Sequence, residues 1–90
     1  MRAEGAFLEL EYGKLFVLDL HGQVLEEAKA NLIHTLNTID VFYKGVLVVH
    51  GYHQGTVLKN FVRKEFEHKN IYKKINVDAS KTILLINLEK

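Results

Sequence analysis

Two short β-prone runs organise the pattern of apolar and polar positions. Leu15-Phe16-Val17-Leu18-Asp19-Leu20 is the first, and Val46-Leu47-Val48-Val49, apolar at every position, is the second. Runs of this length bounded by glycine read as strands, and an unbroken apolar run reads as one covered on both faces or central in a parallel pair. Between them Leu25, Ala28, Leu32, Leu36 and Ile39 recur at helical spacing, which predicts a helix from about Val24 to Ile39 with that stripe against the sheet. Phe42 and Tyr43 are expected to pack beneath the second strand. A second helix is predicted from a cap at Thr56 to about Lys69, with Leu58, Phe61, Val62 and Phe66 as its buried stripe and Asn70 as its stop. Strands over Tyr72 to Val77 and Thr82 to Leu88, joined by a turn at Asp78-Ala79-Ser80-Lys81, are expected to close the fold as an antiparallel pair.

Upstream, Phe7-Leu8-Glu9-Leu10-Glu11 alternates loosely and Tyr12-Gly13-Lys14 breaks it, the pattern of an N-terminal strand or hairpin. The expected fold is a two-layer α/β sandwich: a βαβαββ core with a mixed sheet and two helices, residues 15–90, after a strand extension at 1–14.

Both apolar strands end alike, at His21-Gly22 and at His50-Gly51. About thirty residues separate the two corners, the length of one βαβ unit, whose strands run parallel. Both corners then fall at the carboxyl edge of the sheet, where open α/β sheets bind ligands. Side chains alternate along a strand, so Val17, Asp19 and His21 share one face and Leu18 and Leu20 the other. Asp19 is therefore expected beside His21.

Composition narrows the classes. Ninety residues hold one domain, and the lack of cysteine removes disulfides and thiolate metal sites. Glu4, Glu9, Glu11 and Lys14 interrupt every candidate signal segment, and no apolar run approaches membrane-spanning length. A soluble cytoplasmic protein without a membrane partner is expected, as a monomer or weak homodimer according to whether Phe7–Glu11 pairs within the chain or with a second copy. The formal net charge is only +1, but acids dominate the first fifty residues and Lys/Arg the rest, concentrated between Lys59 and Lys74. Such a stretch beside the second corner suits phosphates, or is simply a solvated helix face.

Leu18-Asp19-Leu20-His21-Gly22, then Glu26-Glu27-Ala28, then Val48-Val49-His50-Gly51 resembles the small MutS-related (Smr) domain, with its Leu-Asp-x-His-Gly box and His-Gly-x-Gly-x-Gly loop. The first motif is complete. In the second, His53 replaces the middle glycine, and Leu58-Lys59 stands one residue later than the family's usual Leu-Arg pair. The resemblance implies a nucleic-acid partner, DNA or RNA, and a fold similar to the C-terminal domain of bacterial translation initiation factor 3. Several members of the family are described as endonucleases.

For such chemistry Asp19 and His21 form a coupled pair, because a carboxylate beside imidazole fixes its tautomer and raises its basicity. His50 is the second candidate for the catalytic set. Gly22, Gly51, Tyr52, His53, Gly55 and Thr56, with Lys59 and Arg63, form the expected phosphate-binding set, backbone N–H groups supplying donors. No metal site is expected, although Mg²⁺ can accompany bound nucleic acid if the substrate phosphate adds oxygens. The quieter reading has Asp19 accept from the loop after the second strand, His21 and His50 hold the corners together, and His34 and His68 lie unremarkably on helix surfaces. A non-catalytic RNA- or ribosome-associated binding module uses the same loop without cleavage, and a protein-interaction domain is the third reading.

Overall fold

The computed structural model describes residues 12–51 and 55–88, with Gly55 and Thr56 described in backbone only. The elements are β1 (Leu15–Asp19), α1 (Leu25–Thr38), β2 (Gly45–Val49), α2 (Gly55–Asn60) continued by a wide turn (Phe61–Glu65), β3 (Ile71–Asp78) and β4 (Lys81–Ile86). The strand order is β1-β2-β4-β3. β1 runs parallel to β2, and β4 runs antiparallel to both β2 and β3. This is the expected mixed-sheet α/β sandwich; the expected strand at Phe7–Glu11 lies outside the described residues.

Alternation along the strands sorts the core. Val46 and Val48 of β2 with Leu84 and Ile86 of β4 face Ala28, Leu32 and Leu36 of α1 and Leu58, Phe61, Val62 and Phe66 of the second helical segment. On the opposite face Leu15, Leu47, Ile83 and Leu85 form a second buried cluster, joined by Tyr12, Ile75 and Val77. β2 is thus central and packed on both faces, which explains its unbroken apolar run.

The structure corrects several details. Leu25 lies in the first turn of α1, where the helix rises from the sheet edge, and is exposed. Phe42 is also exposed, because the Asp40 carboxylate accepts its backbone N–H at 2.8 Å and turns the chain before β2. Its ring lies edge-on to Tyr43, which packs edge-on to Phe16. α2 starts at Gly55, so Thr56 is inside the first turn rather than at the cap. The segment ends at Glu65 rather than Lys69. Its last turn widens, with the Phe66 N–H donating to the Phe61 carbonyl at 2.8 Å, an i→i+5 bond. The extra residue buries both Phe61 and Phe66, with ring centroids 5.6 Å apart. The Lys74 amine donates to the Phe66 and Arg63 carbonyls, satisfying groups that the ended helix leaves open. His68 is consequently off the helix and bridges elements: its Nε2–H donates to Asn37 Oδ1 at 2.9 Å, and its Nδ1 accepts the Asn70 N–H at 3.1 Å.

Candidate nucleic-acid interface

All four strands contribute to one edge of the sheet. β1 and β2 end there, β3 runs the same way, and the β3–β4 turn returns there, so Asp19, His50, Thr82 and Asp78 mark successive positions along it. The turn is sewn to the second corner by the His50 and Gly51 N–H groups, which donate to the Ser80 carbonyl at 2.9 and 3.2 Å. The turn itself is held by the Asp78 carboxylate, which accepts from the Ser80 N–H and hydroxyl at 2.8 and 2.9 Å. Burial acts to raise the Asp78 pKa, but the Ser80 bonds and Lys81 together outweigh it and hold the carboxyl below its ordinary range.

The two His-Gly corners touch. Gly22 and Gly51 have φ of 81° and 78°, the left-handed region that favours glycine. A Cβ on Gly22 would meet nothing within 4 Å, whereas one on Gly51 would stand 3.1 Å from His21 Cβ. Glycine at 51 therefore serves both the turn and the close approach of the corners.

The histidines have different surroundings. His21 Nδ1–H donates to Asp19 Oδ1 at 2.6 Å, and the His21 backbone N–H reaches the same oxygen at 3.1 Å. The side chains of His21 and Asp19 are 68% and 55% exposed, so the second ring nitrogen, Nε2, is accessible to a bulky ligand. Partial burial acts to raise the Asp19 pKa, but the bonds from His21 and the ring's charge outweigh it, keeping the carboxylate ionised below its usual range.

His50 is buried and both ring nitrogens are engaged. Its Nδ1–H donates to the Gly51 carbonyl at 3.1 Å, and its Nε2 accepts from the Thr82 hydroxyl at 3.0 Å. That hydroxyl in turn accepts from Arg63 Nε at 2.7 Å. The order Arg63 to Thr82 to His50 to Gly51 is a directed chain of donors and acceptors that requires neutral imidazole. Burial chiefly lowers the His50 pKa, and Arg63 and Lys59 add to this against the Gly51 carbonyl and Asp78.

Arg63 also donates through Nη2 to the Asp78 carbonyl and, at 3.0 Å, to the Lys81 carbonyl. Of the expected phosphate-binding residues, the structure thus brings Gly22 and Gly51 together at the edge and commits Arg63 largely to the β3–β4 hairpin. Lys59 lies close enough to His50 to bear on its titration. Tyr52 and His53 lie outside the described residues, as do the side chains at 55 and 56. Thr82 and the Asp78–Ser80 turn were not anticipated at the site. Their signal was the hairpin: a strand parallel to β1 and β2 must turn at the edge where the histidines lie.

Among the described residues no three His, Cys, Asp or Glu side chains cluster as metal ligands, and no helix is long and apolar enough to cross a membrane. No curated protein and no solved structure matches the chain. The family model described as the Smr domain matches residues 18–81, a span that contains both corners, Arg63 and the β3–β4 turn. The chain belongs to the Smr domain family, whose members are nucleic-acid-binding, nuclease-like domains.

Proposed function

We propose that the protein is an endonuclease that cleaves DNA or RNA phosphodiester bonds, with Asp19 and His21 transferring the proton. The observation that carries this reading is the 2.6 Å bond from His21 Nδ1–H to Asp19, which leaves Nε2 as a free base at an exposed edge. Nε2 takes the proton of the attacking oxygen, from water or a ribose 2′-hydroxyl. As the new P–O bond forms and the bond to the leaving oxygen breaks, the imidazolium, stabilised by Asp19, returns a proton to that oxygen. Gly22 and the Gly51–Gly55 loop with Tyr52, His53 and Thr56 hold the phosphate, assisted by the charge of Lys59 and Arg63. His50, neutral and spent on both nitrogens, positions the Gly51 corner rather than exchanging protons. The exposure of the dyad supports a macromolecular substrate over a small molecule enclosed in a cavity. Cleavage that needs added Mg²⁺ would assign the ion to the bound nucleic acid, whose phosphate supplies the missing oxygen ligands.

The engagement of His50 favours a second reading, a non-catalytic RNA- or ribosome-associated module, because among the described residues it leaves the edge a single proton-transfer pair. Wild type and His21→Ala are incubated with labelled structured RNA, single-stranded DNA and supercoiled plasmid, with and without Mg²⁺, following binding and cleavage together. Cleavage lost in the variant while binding persists supports the enzyme. Binding without cleavage by either protein supports the module.

A further inference from the structure

The helices leave part of the sheet uncovered. β3 is the edge strand beyond β4, and its positions Lys74 and Asn76 pair with Leu84 and Thr82, whose side chains face the helical layer. With a cation and an amide there, a groove of about 390 Å³ stays open between the strand and the second helical segment, lined by Lys59, Asn60, Arg63, Lys64, Lys74 and Asn76.

Four cations and two amides meet in that lining without a carboxylate, in a chain of formal net charge +1. The concentration is local, and a concave wall of one sign focuses its field on a bound counter-charge. Lys74 is a fixed part of the wall, its amine tethered to the Phe66 and Arg63 carbonyls. Among the described residues the one ion pair it makes, to Glu67 at 3.8 Å, goes to a side chain that is 80% exposed and outside the lining. Arg63 links the groove to the sheet edge: it lines the groove while its Nε and Nη2 hold Thr82 and the hairpin carbonyls behind His50.

We infer that this groove is a second phosphate-binding track, taking the sugar–phosphate backbone of the nucleic-acid strand whose scissile bond lies at Asp19 and His21. The inference rests on the nucleic-acid reading above and adds Asn60, Lys64, Lys74 and Asn76 to the interface. The amides donate to phosphate oxygens and the cations displace counterions, so the track reads no base sequence.

Lys64→Ala and Asn76→Asp test it, the second placing a negative charge in the groove without a change of shape. Affinity for short labelled single-stranded RNA and DNA is measured by fluorescence anisotropy across a salt titration, with thermal melts as a control for folding. Lys64→Ala is expected to flatten the slope of log K against log salt by about 0.7, one phosphate contact on a single strand. Asn76→Asp is expected to weaken binding by about tenfold at low salt, the order of one lost charged contact. Wild-type affinity and slope in Lys64→Ala, alongside normal nucleic-acid binding by the wild type, overturn the groove and leave the nucleic-acid reading standing. A wild type that binds neither strand overturns both. Tighter binding of poly-glutamate than of either strand, lost in Lys64→Ala, makes the groove a dock for acidic protein and overturns the phosphate track. Should Asn76→Asp not fold, Lys64→Ala, an exposed helical-segment position, decides alone.

Discussion

Replacing Thr82 with valine tests whether the chain from Arg63 to Gly51 holds the second corner. Valine keeps the shape of threonine and replaces the hydroxyl with a methyl group, so packing at this fully buried position is preserved. Two bonds are lost together, from Arg63 Nε at 2.7 Å and to His50 Nε2 at 3.0 Å. An acceptor left unpaired at a buried residue costs about 1–3 kcal/mol, and the charge-assisted bond from Arg63 adds to this. Arg63 keeps its hairpin carbonyls and recovers part of the loss in water, so the total is about 2–4 kcal/mol. For a domain of this size that lowers Tm by on the order of 10–25 °C. Thr82→Ser keeps the hydroxyl and loses only a methyl, about 1 kcal/mol. Urea and thermal unfolding of both variants measure the difference. Thr82→Val as stable as Thr82→Ser would refute the relay, because the hydroxyl would then carry none of the corner's stability.

Further outcomes follow from the same edge. Gly22→Ala and Gly51→Ala both force alanine into the left-handed region, about 1–2 kcal/mol each, but only the second pushes on His21. Melts should fall in both and further in Gly51→Ala, which adds the crowding of His21 to the same backbone strain, and cleavage should fall at least tenfold further in Gly51→Ala, misplacement at a reacting group being costly; equal activities would separate the corners. Stability should also depend on pH in a single direction. His50 and His68 titrate below their ordinary value when folded, so the folded chain binds fewer protons than the unfolded one and stability falls as pH drops below about 6.5. Asp19 and Asp78, with pKa values lowered in the fold, extend the loss as pH falls through and below the carboxylate range. Melts between neutral pH and pH 4 check this, and a Tm that rises on acidification contradicts it.

The strands, the two helical stripes and the meeting of the corners were legible because each rests on local periodicity and on a crossover length. Asp19 beside His21 follows from alternation alone. That His50 holds its corner was one of the two readings the sequence allowed, but its neutral, buried state was not legible, since that depends on Thr82, which is distant in sequence. Nor was the early end of the second helical segment: Phe61, Val62 and Phe66 fit a regular helix as well as a widened turn, and the choice is made by Lys74 supplying donors from a strand formed later in the chain. His68 likewise looks like a surface residue until Asn37 and Asn70 are brought to it.

The central claim is that Asp19 and His21 act as one proton-transfer unit, and single-turnover cleavage by wild type, Asp19→Asn, His21→Ala and the double variant tests it most directly. Each single variant should lose about 10²–10⁴ in rate, the range for a positioned acid–base group. The double variant should be only a few-fold slower than His21→Ala, because residues that act as a unit are not additive. Cleavage by His21→Ala at the wild-type rate, or losses that multiply in the double variant, would contradict the account.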